Sequence, residues 1–273
     1  MILVTAAAGN VGREVARALR ARGADVRAAD RATIDFRDPS TWDAALDGCR
    51  AVFLLRPPAI SDVEHTLNAF VDRARARGVE SFVFLSVAGA ETNTFVPHHA
   101  VERRLIEGPR DWTILRPGFF AQNFEDAYLR DVREDDRIYV PAGKRRVAFV
   151  DVRDLAEVAA AALLEPAAHR GQAYTLTGGE AVSFDTAAAL LSRALGRTIR
   201  YEPASIVGYA LHLRRRGLPR GQIAVQTILH VLLRLGQAES IDPTLGALLG
   251  RPPRTLAEYF RDAASAFRSE TSV

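Results

Sequence analysis

The chain has 273 residues, of which 48% are hydrophobic and 25% charged, and its formal net charge at neutral pH is +3. This balance is that of a globular protein with one large or two modest domains, and it excludes a disordered or fibrous chain. No apolar run reaches the roughly 20 residues that cross a bilayer, and we expect no secretory signal at the N-terminus. A single cysteine, Cys49, excludes an internal disulfide framework and fits a reducing cytoplasm.

The basic residues are nearly all arginine, since Lys144 is the only lysine. A nucleic-acid surface would gather its basic charges on one face with interleaved aromatic residues. The two basic runs, 144–146 and 214–216, lie far apart in the chain. We therefore expect solvated surface at both runs, and neither a nucleic acid nor a membrane as partner.

The first half of the chain alternates short apolar runs with amphipathic stretches, which predicts βαβ units and a parallel sheet. Too few residues separate the second and third predicted strands for a crossover helix, so we expect this crossover to be a loop. Apolar strands of this kind are buried on both faces, as in a Rossmann-type doubly wound sheet. The predicted strands are 2–5, 25–29, 33–36, 51–55, 81–85 and 112–115, and the predicted helices are 11–21, 39–46, 61–77 and 97–106.

The pattern changes near residue 170. Short strands are predicted at 173–176 and 198–201 around a helix at 184–195, and 205–268 is predicted to be almost wholly helical. We expect an α/β protein with a dinucleotide-binding Rossmann domain over 1–170. A smaller, mainly helical domain over 171–273 would form a substrate-binding lid.

A small-residue turn joins the first strand to the first helix. Dinucleotide-binding loops place glycines in G-x-x-G-x-x-G spacing, so that the backbone approaches the pyrophosphate at a helix N-terminus. Gly9 and Gly12 match this spacing, and Ala6 stands in place of the first glycine. The strand-turn-helix context favours a dinucleotide loop over a merely structural turn. The residues expected to contact the cofactor here are Ala7, Gly9, Asn10, Val11 and Gly12.

The end of the second strand carries opposing signals for cofactor choice. Asp30 lies eighteen residues after Gly12, where an acid binds the ribose 2′-hydroxyl of NAD. Arg31 follows at once and Arg37 is close in sequence, so the 2′-phosphate of NADP could also be held. Asp35 and Phe36 are candidates for flanking the adenine. We slightly favour NADP(H) over NAD(H).

Six segments of the sequence resemble the NmrA-like family of atypical short-chain dehydrogenases. They are ILVTAAAGNVGREVARAL, AVFLLRPP, SFVFLSVAGA, HHAVERRLIEGPRDWTILRPGFFAQNF, FVDVRDLAEVAAAAL and YTLTGGEAVSFDTAAALL, with WTILRPGFFAQNF the most specific. The resemblance implies NAD(P) binding, in a family of quinone, dye and ketone reductases that also contains redox-sensing regulators. Some aromatic-polyketide ketoreductases of antibiotic pathways are similar as well.

The resemblance also implies where cofactor and substrate lie. Leu55, Arg56 and Pro57 would cover the cofactor, and Ser86 and Val87 would lie beside the nicotinamide ribose. Phe119 and Phe120 are equally compatible with core residues that open a helix. The residues implied to border the nicotinamide are Pro117, Gly118, Phe119 and Phe120, and the substrate candidates are Phe119, Phe120 and Asn123.

Standard members of the superfamily protonate the carbonyl with a tyrosine whose partner is a lysine four residues later. No tyrosine here has that partner, because Lys144 stands five residues after Tyr139. In the corresponding helix His98 takes the tyrosine position and Glu102 the lysine position. An imidazole can donate a proton near neutral pH, so His98 and His99 are candidate acids. Ser86 is the candidate hydrogen-bond donor to the carbonyl.

The resulting hypothesis is an NAD(P)H-dependent reductase that transfers hydride to an aromatic ketone or quinone. Its rivals are an NAD(P)-sensing regulatory protein without turnover and, more remotely, an epimerase or dehydratase. We expect no metal, since adjacent histidines point about 100° apart on a helix and no further ligand motif follows. No G-x-S-x-G element of a serine hydrolase is present.

Overall fold

A computed structural model describes residues 1–109 and 111–268. The chain divides into two compact units whose segments alternate along the sequence. Among the described residues, the first unit comprises 1–109, 111–118, 152–176 and 244–251, and the second comprises 119–151, 177–243 and 252–268. The predicted division into domains 1–170 and 171–273 stays a prediction. Residues 269–273 of the second predicted domain lie outside the described part of the chain.

Strands and helices alternate through the first half of the described chain. The strands are β1 (Ile2–Val4), β2 (Val26–Ala28), β3 (Ala51–Leu55), β4 (Ser81–Leu85), β5 (Trp112–Pro117), β6 (Arg137–Val140), β7 (Arg146–Val147), β8 (Gln172–Leu176), β9 (Val182–Ser183) and β10 (Arg200–Pro203). The helices are α1 (Asn10–Ala21), α2 (Trp42–Leu46), α3 (Ala69–Ala76), α4 (Pro97–Ile106), α5 (Leu129–Asp135), α6 (Val152–Leu164), α7 (Pro166–His169), α8 (Phe184–Leu195), α9 (Ile206–Arg215), α10 (Arg220–Arg234), α11 (Thr244–Leu249) and α12 (Leu256–Asp262).

The first unit is built on a six-stranded parallel sheet in the order β2-β1-β3-β4-β5-β8. β4 is buried along its whole length, and β3 is buried except at Leu55. The strand order reverses between β1 and β3, and in such sheets ligands bind at this switch point, beyond the carboxyl ends of the strands. The predicted Rossmann-type fold is therefore confirmed.

The predicted strand at 33–36 is wrong, because these residues form a turn and coil after β2. The amides of Thr33 and Ile34 both donate to the carbonyl of Asp30, which closes the turn. Ile34 and Phe36 are buried nonetheless, so a packed loop reproduces the alternation of a strand. The crossover expected to be a loop is thus longer: it runs from β2 to β3 and contains α2.

The second unit contains two small sheets and most of the C-terminal helices. β10 pairs with β6 in parallel, and β7 pairs with β9 antiparallel. Phe124 lies at the centre of its core, with ring centroids 4.8–6.2 Å from four other aromatic rings. Among the described residues, no helix is long and apolar enough to cross a membrane.

Candidate active site

The loop between β1 and α1 approaches its own helix too closely for side chains. A Cβ on Gly12 would lie 2.3 Å from the carbonyl oxygen of Ala6, so only glycine fits there. Ala6 has φ of +53°, the left-handed conformation that glycine adopts more easily. Gly9 is the N-cap of α1 and no side chain caps the helix, which leaves the first-turn amides pointing at the loop. The loop has the construction that a pyrophosphate requires.

A cavity of about 240 Å³ lies beside this loop. It is formed by the β1–α1 loop, the turn after β2 and the loop after β3, all in the first unit. The structure therefore brings together predicted contacts from three separate segments of the sequence. Sequence reasoning missed four apolar members of the lining: Ala8, Ile34, Ala59 and Ile60. The full lining is Ala6, Ala8, Gly9, Asp30, Arg31, Ile34, Asp35, Phe36, Arg37, Pro57, Ala59 and Ile60.

Asp30 and Arg31 differ in their surroundings at the cavity edge. The Oδ1 atom of Asp30 accepts hydrogen bonds from the Ala32 amide (3.0 Å) and from the amide (3.2 Å) and hydroxyl (3.1 Å) of Thr33. These bonds, the hydroxyl of Thr33 first, lower the pKa of the exposed Asp30 carboxyl. Arg31 is exposed and lines the same cavity. Asp30 thus stabilises the turn, while the exposed Arg31 places a positive charge at the rim of the cavity.

Arg56 fixes the loop that follows β3. Its guanidinium Nη1 donates to the carbonyls of Pro57 (3.2 Å), Pro58 (3.3 Å) and Ile60 (2.5 Å). Its Nε donates to Nε2 of His98 at 3.3 Å. Arg56 therefore holds the loop that contributes Pro57 and Ile60 to the cavity wall, and its contact with His98 connects this loop to the start of α4.

Ser86 follows β4 at the carboxyl edge of the sheet and is buried. Its hydroxyl donates to Oε1 of Glu102, a carboxylate that is only 2% exposed. Arg116 at the end of β5 donates to both oxygens of Glu102, through Nε at 3.0 Å and Nη2 at 2.5 Å. Val87 is half-buried beside Ser86, and Pro117 is buried and accepts the Ala88 amide at 3.1 Å. Sequence reasoning missed Arg116, although a charged residue inside an otherwise apolar strand could have indicated it.

The two candidate histidines on α4 face different partners. His98 accepts the hydrogen bond from Arg56, and burial, with the Arg56 charge second, lowers its pKa to about 4. Nδ1 of His99 lies 2.7 Å from the carbonyl oxygen of Ala90. Because a carbonyl only accepts, this contact assigns a hydrogen to Nδ1 of His99. His98 is thus neutral at pH 7, whereas His99 is oriented through one nitrogen.

The predicted substrate residues lie in the second unit. Phe119 packs edge-on against the rings of Phe149 and His230, each 5.9 Å away. Tyr128, fully buried, lies 2.5 Å from Nε2 of His230, a pair that sequence reasoning missed. Burial lowers the pKa of His230 to about 4. Phe120 is half-buried and forms an isolated β-bridge with Val150, and Asn123 is half-buried in the 3-10 helix Ala121–Phe124 that follows.

Among the described residues, no group of three or more histidine, cysteine, aspartate or glutamate side chains could hold a metal ion. His98, His99 and Glu102, which cluster in the sequence, instead have the separate partners given above.

Comparisons with known proteins agree with this geometry. The model of the NmrA-like family matches residues 1–259. The chain is 32% identical to an NAD(P)H azoreductase of Xenophilus azovorans, over 98% of this chain and 99% of the relative. It is 33% identical to a (4-alkanoyl-5-oxo-2,5-dihydrofuran-3-yl)methyl phosphate reductase of Streptomyces griseus, over 99% and 100%.

Among solved structures, an NADPH-dependent quinone oxidoreductase of Escherichia coli in complex with NADPH superposes with a TM-score of 0.82 at 26% identity. The match covers 97% of this chain and all of that one. The loop, the switch-point cavity and these matches together show that the chain belongs to the NmrA-like family.

Proposed function

We propose that the chain is an NADPH-dependent reductase of flat aromatic acceptors, such as quinones, azo dyes or aromatic ketones. The observation that carries this proposal is the β1–α1 loop, where Gly12 has no room for a Cβ and the cavity opens at the switch point. The relatives named as azoreductase and quinone oxidoreductase support the same chemistry. The aromatic-ketone substrate and a role in antibiotic biosynthesis stay predictions.

The described residues fit a nicotinamide dinucleotide. The uncapped N-terminus of α1 suits the pyrophosphate, with Ala7, Gly9 and the first-turn residues Asn10, Val11 and Gly12 around it. Asp35 and Phe36 would flank the adenine in the cavity. Leu55, Arg56 and Pro57 would cover the cofactor, with Val87 and Pro117 farther along the sheet edge. When bound, the cofactor would supply the hydride.

The cavity rim supports a preference for NADP(H). An acid that selects NAD accepts from ribose hydroxyls, and Asp30, whose Oδ1 is held by three hydrogen bonds within its own turn, has only Oδ2 for such a contact. The exposed guanidinium of Arg31 can hold a 2′-phosphate. We expect Arg31→Ala to weaken NADPH binding about 10- to 100-fold and to spare NADH. Arg17→Ala, at an exposed arginine paired with Glu14, is the control. Equal NADPH affinity in Arg31→Ala would refute the phosphate role.

The second unit would supply the substrate side. Phe119 and Phe120 offer aromatic surface for a flat acceptor, and Asn123 offers an amide for its polar edge. Of the predicted lid 205–250, residues 205–243 lie in the second unit and would act as a helical lid, whereas 244–250 belong to the first unit. Deletion of 205–243 should spare NADPH binding and abolish reduction, whereas retained turnover would contradict the lid assignment.

Proton delivery in this chain would not use a tyrosine–lysine pair. His98 is neutral near pH 7 and accepts from Arg56, so it is poorly suited to donate. The single hydrogen of Ser86 is directed to Glu102, which opposes its predicted role as donor to the carbonyl. His99, held through Nδ1, is the better candidate acid, and it would act as the imidazolium, which carries a second hydrogen on Nε2 and becomes neutral when it gives that hydrogen to the substrate oxygen. A substrate phenol beside the ketone is the alternative donor.

The test is NADPH oxidation at 340 nm against a panel of quinones, azo dyes and polycyclic ketones. We expect turnover with at least one flat aromatic class. Tight NADPH binding without turnover on any of them would instead support a dinucleotide-sensing regulatory protein.

A further inference from the structure

The buried carboxylate of Glu102 has no role in the proposed reaction. It is 2% exposed, and a buried carboxylate requires a cation and hydrogen bonds to offset its lost hydration. Arg116 supplies both through a two-point contact, and the Arg116 Nε also lies 3.3 Å from Glu91. The remaining donor to Glu102 is the hydroxyl of Ser86.

This arrangement fixes the polarity of Ser86. A hydroxyl has one hydrogen, and a carboxylate can only accept, so the hydrogen of Ser86 is directed towards Glu102. The Oγ atom then offers only lone pairs to any further partner. A group that meets Ser86 on a ligand must therefore be a donor, such as a hydroxyl.

The position of Ser86 along the sheet suggests which hydroxyl this is. Neighbouring strands lie about 4.8 Å apart, so β4 is about 10 Å from β1 along the carboxyl edge. A dinucleotide with its adenosine in the cavity beside β1 and β2 would extend across β3 towards β4. Its second ribose, which carries two hydroxyl donors, would then reach Ser86.

We infer that Glu102, held by Arg116, is a positioning residue that fixes Ser86 as the hydrogen-bond acceptor for a hydroxyl of the nicotinamide ribose. This inference rests on the proposed function, because it assumes that NADPH is the cofactor. Glu102 itself contacts no reacting atom and acts only through Ser86.

Glu102→Gln changes this polarity with little change in shape. The Arg116 Nη2 makes the shorter contact with Glu102, 2.5 Å to Oε2, which favours the amide oxygen at that position. The amide NH2 then takes the place of Oε1, where it donates to the oxygen of Ser86 and loses the hydrogen bond from Arg116 Nε. The amide occupies one of the two lone pairs of Ser86 and its hydrogen is released, which weakens its role as acceptor for the ribose, and Ser86→Ala removes that role outright.

The experiment compares two probes by titration, without any turnover. NADPH contains the nicotinamide ribose, and adenosine 2′,5′-bisphosphate does not. We expect Glu102→Gln and Ser86→Ala each to raise the Kd of NADPH about tenfold and to leave the Kd of the bisphosphate unchanged. The double variant should be no worse than either single variant, because both act on one hydrogen bond. Asp111→Asn, which breaks the partly buried pair with Arg75, is the control and should change neither Kd.

The contrary outcomes are distinct. Unchanged NADPH affinity in either single variant overturns the inference, so Ser86→Ala suffices if Glu102→Gln does not fold. Equal weakening of both probes indicates a purely structural carboxylate and overturns it as well, and so do losses that add in the double variant. If the wild type binds NADPH and the variants match it, the inference alone fails. If the wild type does not bind NADPH, the proposed function fails and this inference with it.

Discussion

Replacing Gly9 with aspartate should separate folding from cofactor binding. Gly9 is the N-cap of α1, with φ −81° and ψ 168°, an extended conformation open to any residue. An added Cβ would lie 3.4 Å from the Ala6 oxygen, at the edge of ordinary contact, in contrast to 2.3 Å at Gly12. Aspartate is a favourable N-cap, worth a few tenths of a kcal/mol over glycine. We therefore expect the Gly9→Asp protein to fold with unchanged or slightly raised stability.

Its cofactor affinity should fall steeply. Two unit charges 4 Å apart repel each other by about 4 kcal/mol at an effective dielectric of 20, and a carboxylate at this N-cap would face the pyrophosphate at about that distance. The carboxylate would also offset the positive end of the helix dipole. Together these effects predict a loss of roughly 1,000-fold in NADPH affinity.

The assay is fluorescence titration with NADPH alongside thermal unfolding without cofactor. Gly9→Asn is the matched control, since it has nearly the same shape and the same capping ability without the charge. It should lose far less affinity than Gly9→Asp. Equal affinities of the Asp and Asn variants would refute the electrostatic argument. Wild-type affinity for NADPH in a folded Gly9→Asp protein would show that the pyrophosphate does not bind at this loop.

Three further predictions concern strain, acidity and the proton donor. Ala6→Gly should raise the free energy of unfolding by about 1 kcal/mol, because Ala6 has a φ of +53°. Gly23→Ala, at a φ of +76°, should lower it by a similar amount. An unchanged free energy of unfolding in both variants would contradict this. The pKa of His98 lies near 4 in the folded protein and near 6.5 in the unfolded chain, so the free energy of unfolding should decline as the pH falls from 6.5 to 4. His98→Gln should flatten this decline, by about 1.4 kcal/mol per pH unit at most. An unchanged slope of stability against pH in urea unfolding would refute this. At saturating NADPH, His99→Ala should lower kcat by more than about 100-fold, well beyond Ser86→Ala and His98→Ala, and modest losses at all three would favour protonation by the substrate.

The sequence was a good guide where one physical signal dominated. The strands Ala51–Leu55 and Ser81–Leu85 have the predicted bounds, because continuous apolar runs flanked by polar residues have few alternatives in a parallel sheet. The helices Pro97–Ile106 and Phe184–Leu195 also match, since proline opens the first and a Ser183 cap with Gly196 bounds the second. The expected class of NAD(P)H-dependent oxidoreductase agrees with the relatives.

The predicted strand at 33–36 was wrong because a strand and a packed loop can show the same alternation of buried and exposed residues. Ile34 and Phe36 are buried in a loop, with the alternation that a strand would show, and the Asp30 turn decided the outcome. The polarity of Ser86 could not be read from the sequence, because it depends on partners sixteen and thirty residues away. The left-handed backbone at Ala6 was equally hidden, although the missing glycine marked the position.

A single-turnover experiment tests the central claim most directly. The protein loaded with NADPH is mixed with a quinone or an azo dye, and the absorbance at 340 nm is followed in parallel with NADPH deuterated at the transferred position. We predict stoichiometric loss of absorbance, slower with the deuterated cofactor, because hydride leaves the nicotinamide. Bound NADPH that persists unoxidised in the presence of quinones, azo dyes and aromatic ketones would contradict it.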